Sequence, residues 1–345
     1  IIYGSDAIGG VMSFNTKNPT LSNDSSILFT GSAALRGATA NEEQSFHLDL
    51  SVGGKKWGFL SSFSRNEYND LRMGKNGPEE YLRDSLIVTQ NGQDFIARNG
   101  DNLVQRPSAF SQINLMQKVL FQPNENWLFK YGFHFSQTSE YGRYDRLTQK
   151  RNGTLRFAEW NYGPQKWQMH HFDAELNNKT ILFDRAKLNI AFQQFEESRI
   201  DRNRNSLNRR TRTEKVNAYS ANLDFNKKVG RGHELFYGIE SVVNKVNSEG
   251  FSTDIVTLIE QDIQTRYPDA LWFSNAIYIT DHIQINEKLS VDAGIRLSQF
   301  AMNAEFDQIF IQLPFQRIKL NKAALNGSLG ILSWKTILDF HSVSH

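Results

Sequence analysis

The chain has 345 residues, of which 39% are apolar and 12% aromatic, and its 39 basic and 37 acidic side chains leave a net charge of +2. Cysteine is absent, which excludes disulfides, thiolate metal sites and a cysteine nucleophile. The near-neutral charge argues against a nucleic-acid-binding protein, since phosphate binding requires a clear cationic excess, and no run approaches the ~18 apolar residues that a membrane-spanning helix needs.

The first seventeen residues, IIYGSDAIGGVMSFNTK, are rich in small side chains. Gly4, Gly9 and Gly10 precede an alternating stretch at 11–15, and glycines permit a positive φ and the close approach of another chain. The segment has no charged start, apolar stretch or cleavage site of a signal peptide. If the protein is exported, we therefore expect the chain to be a fragment.

From residue 26 onward, apolar and polar residues alternate with period two, which predicts β-strands. In 127–135 the aromatic side chains share one face and His134 lies on the other. Most of the predicted strands are longer than the ~5–6 residues common in soluble proteins. Twelve strands are predicted, near 26–36, 43–53, 56–68, 108–122, 126–140, 167–178, 186–200, 213–227, 233–247, 272–285, 288–302 and 322–334.

The connections between these strands alternate in length, with long loops near 69–107, 141–166, 201–212, 248–271 and 303–321. An outer-membrane barrel has this arrangement, because short periplasmic turns alternate with long extracellular loops. Tryptophans at strand ends are typical of the aromatic girdles of such barrels. Five of the six tryptophans lie at or near predicted strand ends, and only Trp160 lies in a long loop; the five are Trp57, Trp127, Trp167, Trp272 and Trp334.

The loop at 141–166 combines aromatic and cationic side chains, which can stack on a planar ligand or bind carboxylates. The alternative is a loop that packs only on its neighbours. The candidate ligand-binding residues of this loop are Tyr141, Arg143, Tyr144, Arg146, Trp160 and Tyr162. Arg209 and Arg210 belong to a predicted basic hairpin tip that would attract an anionic ligand or lipopolysaccharide phosphate; the alternative there is a solvated charged loop.

Adjacent residues of a strand point to opposite faces, so only one of His170 and His171 can face the interior of a barrel. Phe172 begins the apolar alternation of this strand, which places His171 on the inner face. His134 is expected to face inward as well. Imidazole is a common axial haem ligand, so His171 and His134 are candidate haem ligands; the alternative is that both are polar wall residues without a ligand.

The segment YGSDAIGGVMSFNTKNP at 3–19 resembles the end of the plug domain of TonB-dependent outer-membrane receptors, through Tyr3, Gly4, Asp6, Gly9 and Gly10. In that family a plug fills a barrel of about 22 strands. The resemblance implies an all-β fold, with the C-terminal end of a plug domain in 1–22 and the N-terminal part of an antiparallel transmembrane β-barrel, about twelve strands, in 23–345. It also implies that most of the plug, the TonB box and about ten strands lie outside this sequence.

Inward charges such as Asp224, Glu240, Asp292 and Arg296 are then expected to pair with the plug. The implied function is active import across the outer membrane of Gram-negative cells, driven by the TonB energy-transducing complex. Lipid and lipopolysaccharide would surround the barrel. The resemblance implies no enzyme activity and no intrinsic cofactor. The stretches 143–166 and 195–216 also resemble the haem/haemoglobin branch of the family. This resemblance favours haem as cargo ahead of a ferric siderophore, and it implies a haem-carrying protein as a partner.

Two other classes of protein fit parts of the pattern. A passive porin or outer-membrane adhesin needs the barrel but no plug, and the segment at 3–17 speaks against it. A soluble all-β ligand-binding module would bury its alternating apolar faces and would not need the alternation of long and short loops. Such a module would also refold without detergent.

Overall fold

A computed structural model describes residues 11–310 and 313–333. Strands dominate the described residues, beside one 3-10 turn (Glu79–Tyr81) and one short helix, α1 (Tyr144–Leu147). The long strands are β1 (Leu28–Ala38), β2 (Glu43–Gly53), β3 (Trp57–Tyr68), β6 (Phe110–Phe121), β7 (Trp127–Thr138), β12 (Lys166–Asn177), β13 (Arg185–Asn203), β14 (Asn208–Val229), β15 (His233–Asp254), β17 (Asp269–Asn286), β18 (Leu289–Glu305) and β19 (Arg317–Ser333). The short strands are β4 (Ser85–Gln90), β5 (Gln93–Arg98), β8 (Tyr141–Gly142), β9 (Lys150–Arg151), β10 (Thr154–Leu155), β11 (Phe157–Tyr162) and β16 (Glu260–Asp262).

The twelve long strands form one antiparallel sheet in which the spatial order is the chain order, from β1 to β19. Each long strand between the two edges pairs with the long strand before it and the long strand after it, so the sheet is a continuous meander. Strands β1 and β19 lie at its two edges. The prediction of an all-β antiparallel barrel wall of about twelve strands is confirmed. No helix among the described residues is long and apolar enough to cross a membrane.

The sheet has an inward and an outward face. Lys118, Gly132 and His171 are aligned across three strands on one face, and Lys118 donates hydrogen bonds from Nζ to Thr16 O at 3.1 Å and to Asn18 Oδ1 at 3.0 Å. We call this face, which contacts the N-terminal segment, the inward face. The opposite face is lined by exposed apolar side chains, among them Phe59, Ile190, Ile239, Ile277, Leu297 and Leu325.

Two of the tryptophans follow the girdle prediction. Trp57 and Trp127 begin β3 and β7 beside the short turns and belong to the outward face, where they stack with phenylalanines. The ring centroids are 3.9 Å apart between Trp57 and Phe121 and 5.3 Å apart between Trp127 and Phe129. These aromatic rings form a belt at the short-turn end, as in outer-membrane barrels.

Two other tryptophans of the predicted girdle, Trp167 and Trp272, are not girdle residues. Trp167 precedes His171 by an even number of positions and therefore faces inward, where its ring lies 6.0 Å from that of His134. Trp272 also faces inward, against Phe300. Proximity to a strand end does not determine which face a side chain takes, and that is why the prediction was wrong for both. Trp334 lies outside the described residues.

Strands β13, β14 and β15 are longer than predicted, with 19, 22 and 22 residues. About ten residues of a tilted strand suffice to cross a bilayer, so these strands project beyond the rest of the wall at the end opposite the short turns, which we call the long-loop end. The prediction of a loop at 201–212 is therefore wrong, because β13 continues to Asn203 and β14 begins at Asn208. Cross-strand ion pairs extend this hairpin: the guanidinium of Arg210 contacts the carboxylate of Asp201, and Arg212 Nη1 lies 3.3 Å from Asp201 Oδ1.

The described part of the N-terminal segment runs along the inward face of β2 and β3. Lys17 forms an ion pair with Asp49, and Ser22 N donates a hydrogen bond to Gly54 O at 3.0 Å. A Cβ atom on Gly53 would lie 1.9 Å from Thr20 O, so the backbones meet where no side chain fits. The division into 1–22 and 23–345 stays a prediction, and Tyr3, Gly4, Asp6, Gly9 and Gly10 lie outside the described residues.

The inward charges predicted to pair with the plug have partners within the wall. Arg296 Nη2 donates to Glu240 Oε1 at 2.9 Å, and the hydroxyl of Tyr278 donates to Asp224. Asp292 Oδ1 lies 2.7 Å from Nδ1 of His282. Neighbouring strands thus bring polar and charged groups together on the inward face. Pairing of these charges with the plug stays a prediction.

Candidate ligand-binding site

The candidate loop residues lie at the long-loop end, in the connection between β7 and β12. This connection folds into β8, α1 and β9 to β11, and its strand β11 joins the wall by pairing with β13 and β8. Asn152 and Gly153 both have positive φ, 52° and 75°, and form the two-residue turn between β9 and β10. Asn-Gly is strongly preferred in a turn whose two central residues both have positive φ. The loop is thus an ordered extension of the sheet.

Five side chains of this region form what we call the vestibule cluster: Tyr141, Arg143, Trp160, Tyr162 and Arg199. The guanidinium carbon of Arg143 lies 5.0 Å from the ring centroid of Trp160 and 5.3 Å from that of Tyr162. Arg199 covers Tyr162 at 4.9 Å. Arg143 Nη1 also donates to the Tyr162 hydroxyl oxygen at 2.9 Å. The cluster is a preformed set of aromatic rings interleaved with guanidinium groups.

The register places this cluster above the inward face. Tyr162 is opposite Arg199 and Trp160 is opposite Asp201, and the odd-numbered residues of β13 continue the face that includes Ala191, the cross-strand partner of His171. All five side chains of the cluster are half-buried. Ring faces and guanidinium edges are therefore accessible at the mouth of the barrel wall.

Of the other predicted loop residues, Arg146 lies at the edge of the cluster, with its guanidinium carbon 5.8 Å from the Trp160 ring. Tyr144 points elsewhere, because its hydroxyl donates to the carbonyl oxygen of Tyr81 in the neighbouring connection. Both belong to α1, which Leu147, 1% exposed, anchors to the loop core. The structure thus brings five of the six predicted loop residues together. Their role in binding stays a prediction.

Arg209 and Arg210 do not form one basic patch. They are adjacent in β14 and so take opposite faces. Arg209 Nε lies 2.8 Å from Glu159 Oε2, and its Nη2 donates to Glu140 Oε1 at 3.2 Å, whereas Arg210 pairs with Asp201 on the inward face. Each arginine is neutralised by a carboxylate, so the attraction predicted for an anionic ligand at this tip is weakened.

Sequence reasoning missed the internal anchor of the site, Arg202, which is fully buried. Its guanidinium holds Asp94 in a bidentate pair with two N–O distances of 3.0 Å and donates from Nε to Glu159 Oε1 at 2.7 Å. It also donates to Thr89 Oγ1 at 2.6 Å and Ser206 O at 2.8 Å. All five N–H donors of the guanidinium are used. This network fastens the β4–β5 hairpin to the tip of the β13–β14 hairpin.

Burial lowers the pKa of Arg202, but its hydrogen bonds to Asp94 and Glu159 outweigh that effect and raise the pKa overall. The guanidinium therefore stays charged and keeps its partners. Burial raises the pKa of Asp94, but its hydrogen bonds with Arg202, Thr89 and the backbone of Asn205 together outweigh that effect and lower the pKa overall. No local sequence pattern marks this pair, since the two residues are 108 positions apart.

The two candidate histidines lie deeper in the wall and both face inward, as predicted. The ring centroids of His134 and His171 are 5.5 Å apart. The imidazole of His171 lies over Gly132, where a Cβ atom would be 2.1 Å from its Cε1. Its Nδ1 is buried and has no hydrogen-bond partner. The structure brings the two predicted histidines together; their role as haem ligands stays a prediction.

One carboxyl group near the cluster has a pKa that is raised into the neutral range. Glu214 lies opposite Glu197 across the β13–β14 pair. It is about 50 Å along the strand from the short turn, which at a tilt of about 45° is a height of about 35 Å, outside an apolar band about 25 Å tall. Burial raises the pKa of Glu214 from 4.5 to about 7, and the negative charge of Glu197 adds to the effect while Arg199 and Arg212 oppose it.

We expect the β13–β14 hairpin to lose stability as the pH rises from 5 to 8. The folded state binds the Glu214 proton more tightly than the unfolded state does. The stability that this proton contributes is therefore complete below about pH 4.5 and is lost as the pH passes about 7. A pKa shift of this size corresponds to at most about 3 kcal/mol of stability. Amide hydrogen exchange of β13 and β14, corrected for intrinsic rates, measures the effect. Glu214→Gln should abolish the pH dependence, whereas Glu287→Gln, at an exposed turn, should leave it. An unchanged pH dependence in Glu214→Gln would show that another group is responsible.

No protein-family model matches the chain, and no curated protein sequence does. Solved structures match its fold. The copper transporter OprC aligns with a TM-score of 0.67 and 13% identity over 91% of this chain and 44% of its own. The siderophore receptor PiuA from Acinetobacter baumannii aligns with a TM-score of 0.61 and 12% identity over 92% of this chain and 48% of its own. The FrpB iron transporter from Neisseria meningitidis (F3-3 variant) aligns with a TM-score of 0.60 and 13% identity over 90% of this chain and 44% of its own.

At these identities the likeness concerns the fold alone. The chain spans less than half the length of each of these three proteins. The narrower resemblance to a haem branch is not confirmed.

Proposed function

We propose that this chain, whose fold is that of the TonB-dependent outer-membrane receptors, forms part of the barrel of an importer for a metal-containing nutrient. Energy would come from the inner membrane through the TonB complex. Haem, taken from a haem-carrying protein, is the cargo we favour, and a ferric siderophore is the next. Import of this kind involves no covalent catalysis, so we propose neither an enzyme activity nor an intrinsic cofactor.

The vestibule cluster is the observation that carries this proposal. Aromatic rings at the mouth of the wall offer stacking surfaces to a planar macrocycle or a catechol ring, and guanidinium groups pair with carboxylates. Arg143 is held by Asp145, with Nε 2.9 Å from Asp145 Oδ1, and Arg199 by Glu197 at 3.4 Å. A ligand carboxylate would share or replace these pairs. The cluster therefore suits a ligand that is both flat and anionic.

The outward face supports a place in the outer membrane, in contact with lipid and lipopolysaccharide. Ile239, Ile277 and Leu325 are 52%, 56% and 67% exposed, far more apolar surface than a soluble module leaves in contact with water. A soluble all-β module would bury this face. The passive-porin alternative is disfavoured because the segment containing Lys17 runs along the inward face, where an open pore would be filled with water.

The histidines would contribute one axial imidazole to haem on its way through the lumen. The candidates are His171 and His134, and only one can serve at a time. Because their ring centroids are 5.5 Å apart on the same wall, a macrocycle cannot stand between them with both rings perpendicular to it. This makes the vestibule, and not the histidine pair, the main determinant of cargo binding.

We expect the double variant Trp160→Ala with Arg143→Ala to raise the cargo concentration that half-saturates uptake by about ten- to a hundredfold, since a ring and its guanidinium partner act as an interface anchor. The measurement is energy-dependent uptake of labelled haem and of ferric siderophores by host cells with the gene deleted and complemented. Arg151→Ala, an exposed arginine of the β9–β10 hairpin, is the control. Uptake that persists without TonB, or a deletion that changes no metal uptake, would refute the proposed function.

A further inference from the structure

Four side chains with soft or borderline donor atoms share the inward face of three neighbouring strands. In the register, His134 of β7 lies directly opposite Met116 of β6 on one side and Met169 of β12 on the other. Directly opposed residues on one face have Cβ atoms about 4.5–5.5 Å apart. His171 follows two positions after Met169, on the same face, and its ring is the neighbour of the His134 ring. We call these four residues the Met/His row.

The separation of the two imidazole rings matches that of two ligands of one ion. A metal about 2.0–2.1 Å from one nitrogen of each ring places the two ring centroids about 5–6 Å apart at tetrahedral to wide angles, and the observed separation is 5.5 Å. Nδ1 of His171 is buried without a hydrogen-bond partner, so one donor atom is unused. Gly132 leaves the space that the His171 ring occupies, which fixes that ring against the wall.

The donor set selects the class of ion. Two imidazole nitrogens and two thioether sulfurs favour a soft cation such as Cu(I), whereas hard ions prefer carboxylate and carbonyl oxygens. Within residues 11–310 and 313–333, no group of three or more histidines and carboxylates is placed to hold a metal. A site for a harder ion is therefore not offered by the same region.

The surrounding charge points to a monovalent ion. Lys118 lies opposite Gly132, and Lys130 lies opposite Asp173, all on the inward face. Lys118 donates to neutral oxygens of the N-terminal segment, so its charge is not cancelled by a carboxylate there. The net charge around the Met/His row is positive, which costs a dication more than a monocation.

We propose that Met116, His134, Met169 and His171 form a binding site for a soft monovalent cation, Cu(I), on the lumen side of the barrel wall. The site goes beyond the proposed function, because it needs neither haem nor a siderophore. It lies nearer to the short turns than the vestibule cluster, and an ion that enters at the long-loop end would reach it second. Neither methionine needs to change oxidation state, and the site binds the ion without redox chemistry.

The test is a Cu(I) titration of the chain purified in detergent, under anaerobic conditions with a colorimetric chelator as competitor. We expect one equivalent of Cu(I) per chain and an X-ray absorption spectrum with both nitrogen and sulfur neighbours. Met116→Leu with Met169→Leu, which keeps side-chain volume, should weaken Cu(I) binding at least a hundredfold. His134→Asn should do the same.

Matched controls lie outside the row: Met12→Leu, at a side chain 79% exposed, and His282→Asn, whose imidazole is paired with Asp292. Both should bind Cu(I) like the parent chain. The absence of a stoichiometric Cu(I) site, or full binding by the double methionine variant, would overturn the proposal. Because the titration uses purified protein, its outcome is independent of whether cells import haem or siderophores through this receptor.

Discussion

Replacing Arg202 by methionine is expected to release the β4–β5 hairpin from the long-loop end. The change leaves Asp94 buried without its bidentate partner, and removing one member of a buried ion pair costs about 3–5 kcal/mol. Methionine cannot supply any of the N–H donors that reach Thr89 and Ser206. The released hairpin avoids the cost by opening, which exposes the carboxylate of Asp94 to water.

Amide hydrogen exchange across Ser85–Arg98 measures this opening. Protection in the hairpin should fall by about a hundredfold or more in Arg202→Met, while the amides of β6 and β7 stay protected. Arg202→Lys should give an intermediate loss, because an ammonium cannot form the bidentate pair. Arg98→Met, an exposed arginine on the same hairpin, serves as control. If hairpin protection is unchanged in Arg202→Met, the network does not hold the hairpin.

The second large effect is expected from a single methyl group at Gly53. A Cβ atom there would lie 1.9 Å from Thr20 O and 3.0 Å from Thr20 C, well inside ordinary carbon–oxygen contact. Both partners are backbone, so Gly53→Ala must push the N-terminal segment off the inward face at a cost of about 1–3 kcal/mol or more. The hydrogen bonds from Thr20 N to Ser51 Oγ, at 3.4 Å, and from Ser22 N to Gly54 O would be lost.

The adjacent glycine provides a control with the same chemistry. A Cβ atom on Gly54 meets nothing nearer than Trp57 O at 3.7 Å, so Gly54→Ala should leave the segment in place. We expect the amides of Thr20 and Ser22 to exchange about tenfold faster or more in Gly53→Ala and at the parental rate in Gly54→Ala. Equal exchange rates in the two variants would contradict this prediction, because they would mean that β2 shifts to accommodate the methyl group while the N-terminal segment stays in place.

Much of the wall was predictable because the alternation that marks a strand lies within a short stretch of the sequence. The period-two alternation identified the twelve long strands, and the same parity correctly placed His134 and His171 on the inward face. Parity also explains where tryptophan placement misled: Trp167 lies near a strand end, yet it shares the face of His171. The position of a residue near a strand end does not determine which face of the sheet its side chain takes, whereas the alternation does.

The far ends of β13 to β15 were not predictable from composition. A stretch rich in arginine and asparagine is typical of a solvated loop, and its pairing depends on carboxylates that other segments supply, such as Asp201 for Arg210. The contact between Arg202 and Asp94 joins residues 108 positions apart. The sequence contains both residues, but no local pattern in it indicates that they form an ion pair. For the same reason the sequence does not show that Tyr144, a candidate ligand-binding residue of the loop, donates its hydroxyl hydrogen bond to Tyr81.

The order of the strands has a consequence for how the chain folds. Because every long strand pairs with its predecessor along the chain, the sheet can grow hairpin by hairpin, and each addition closes only a local loop with a small entropic cost. Two groups of contacts do not fit that scheme. Lys118 bonds Thr16 and Asn18, 102 and 100 positions away, and Arg202 bonds Thr89 and Asp94, 113 and 108 positions away. Neither can form until β6 and β13 have been added. The N-terminal segment and the β4–β5 hairpin are therefore expected to dock late, onto a wall already assembled beneath them.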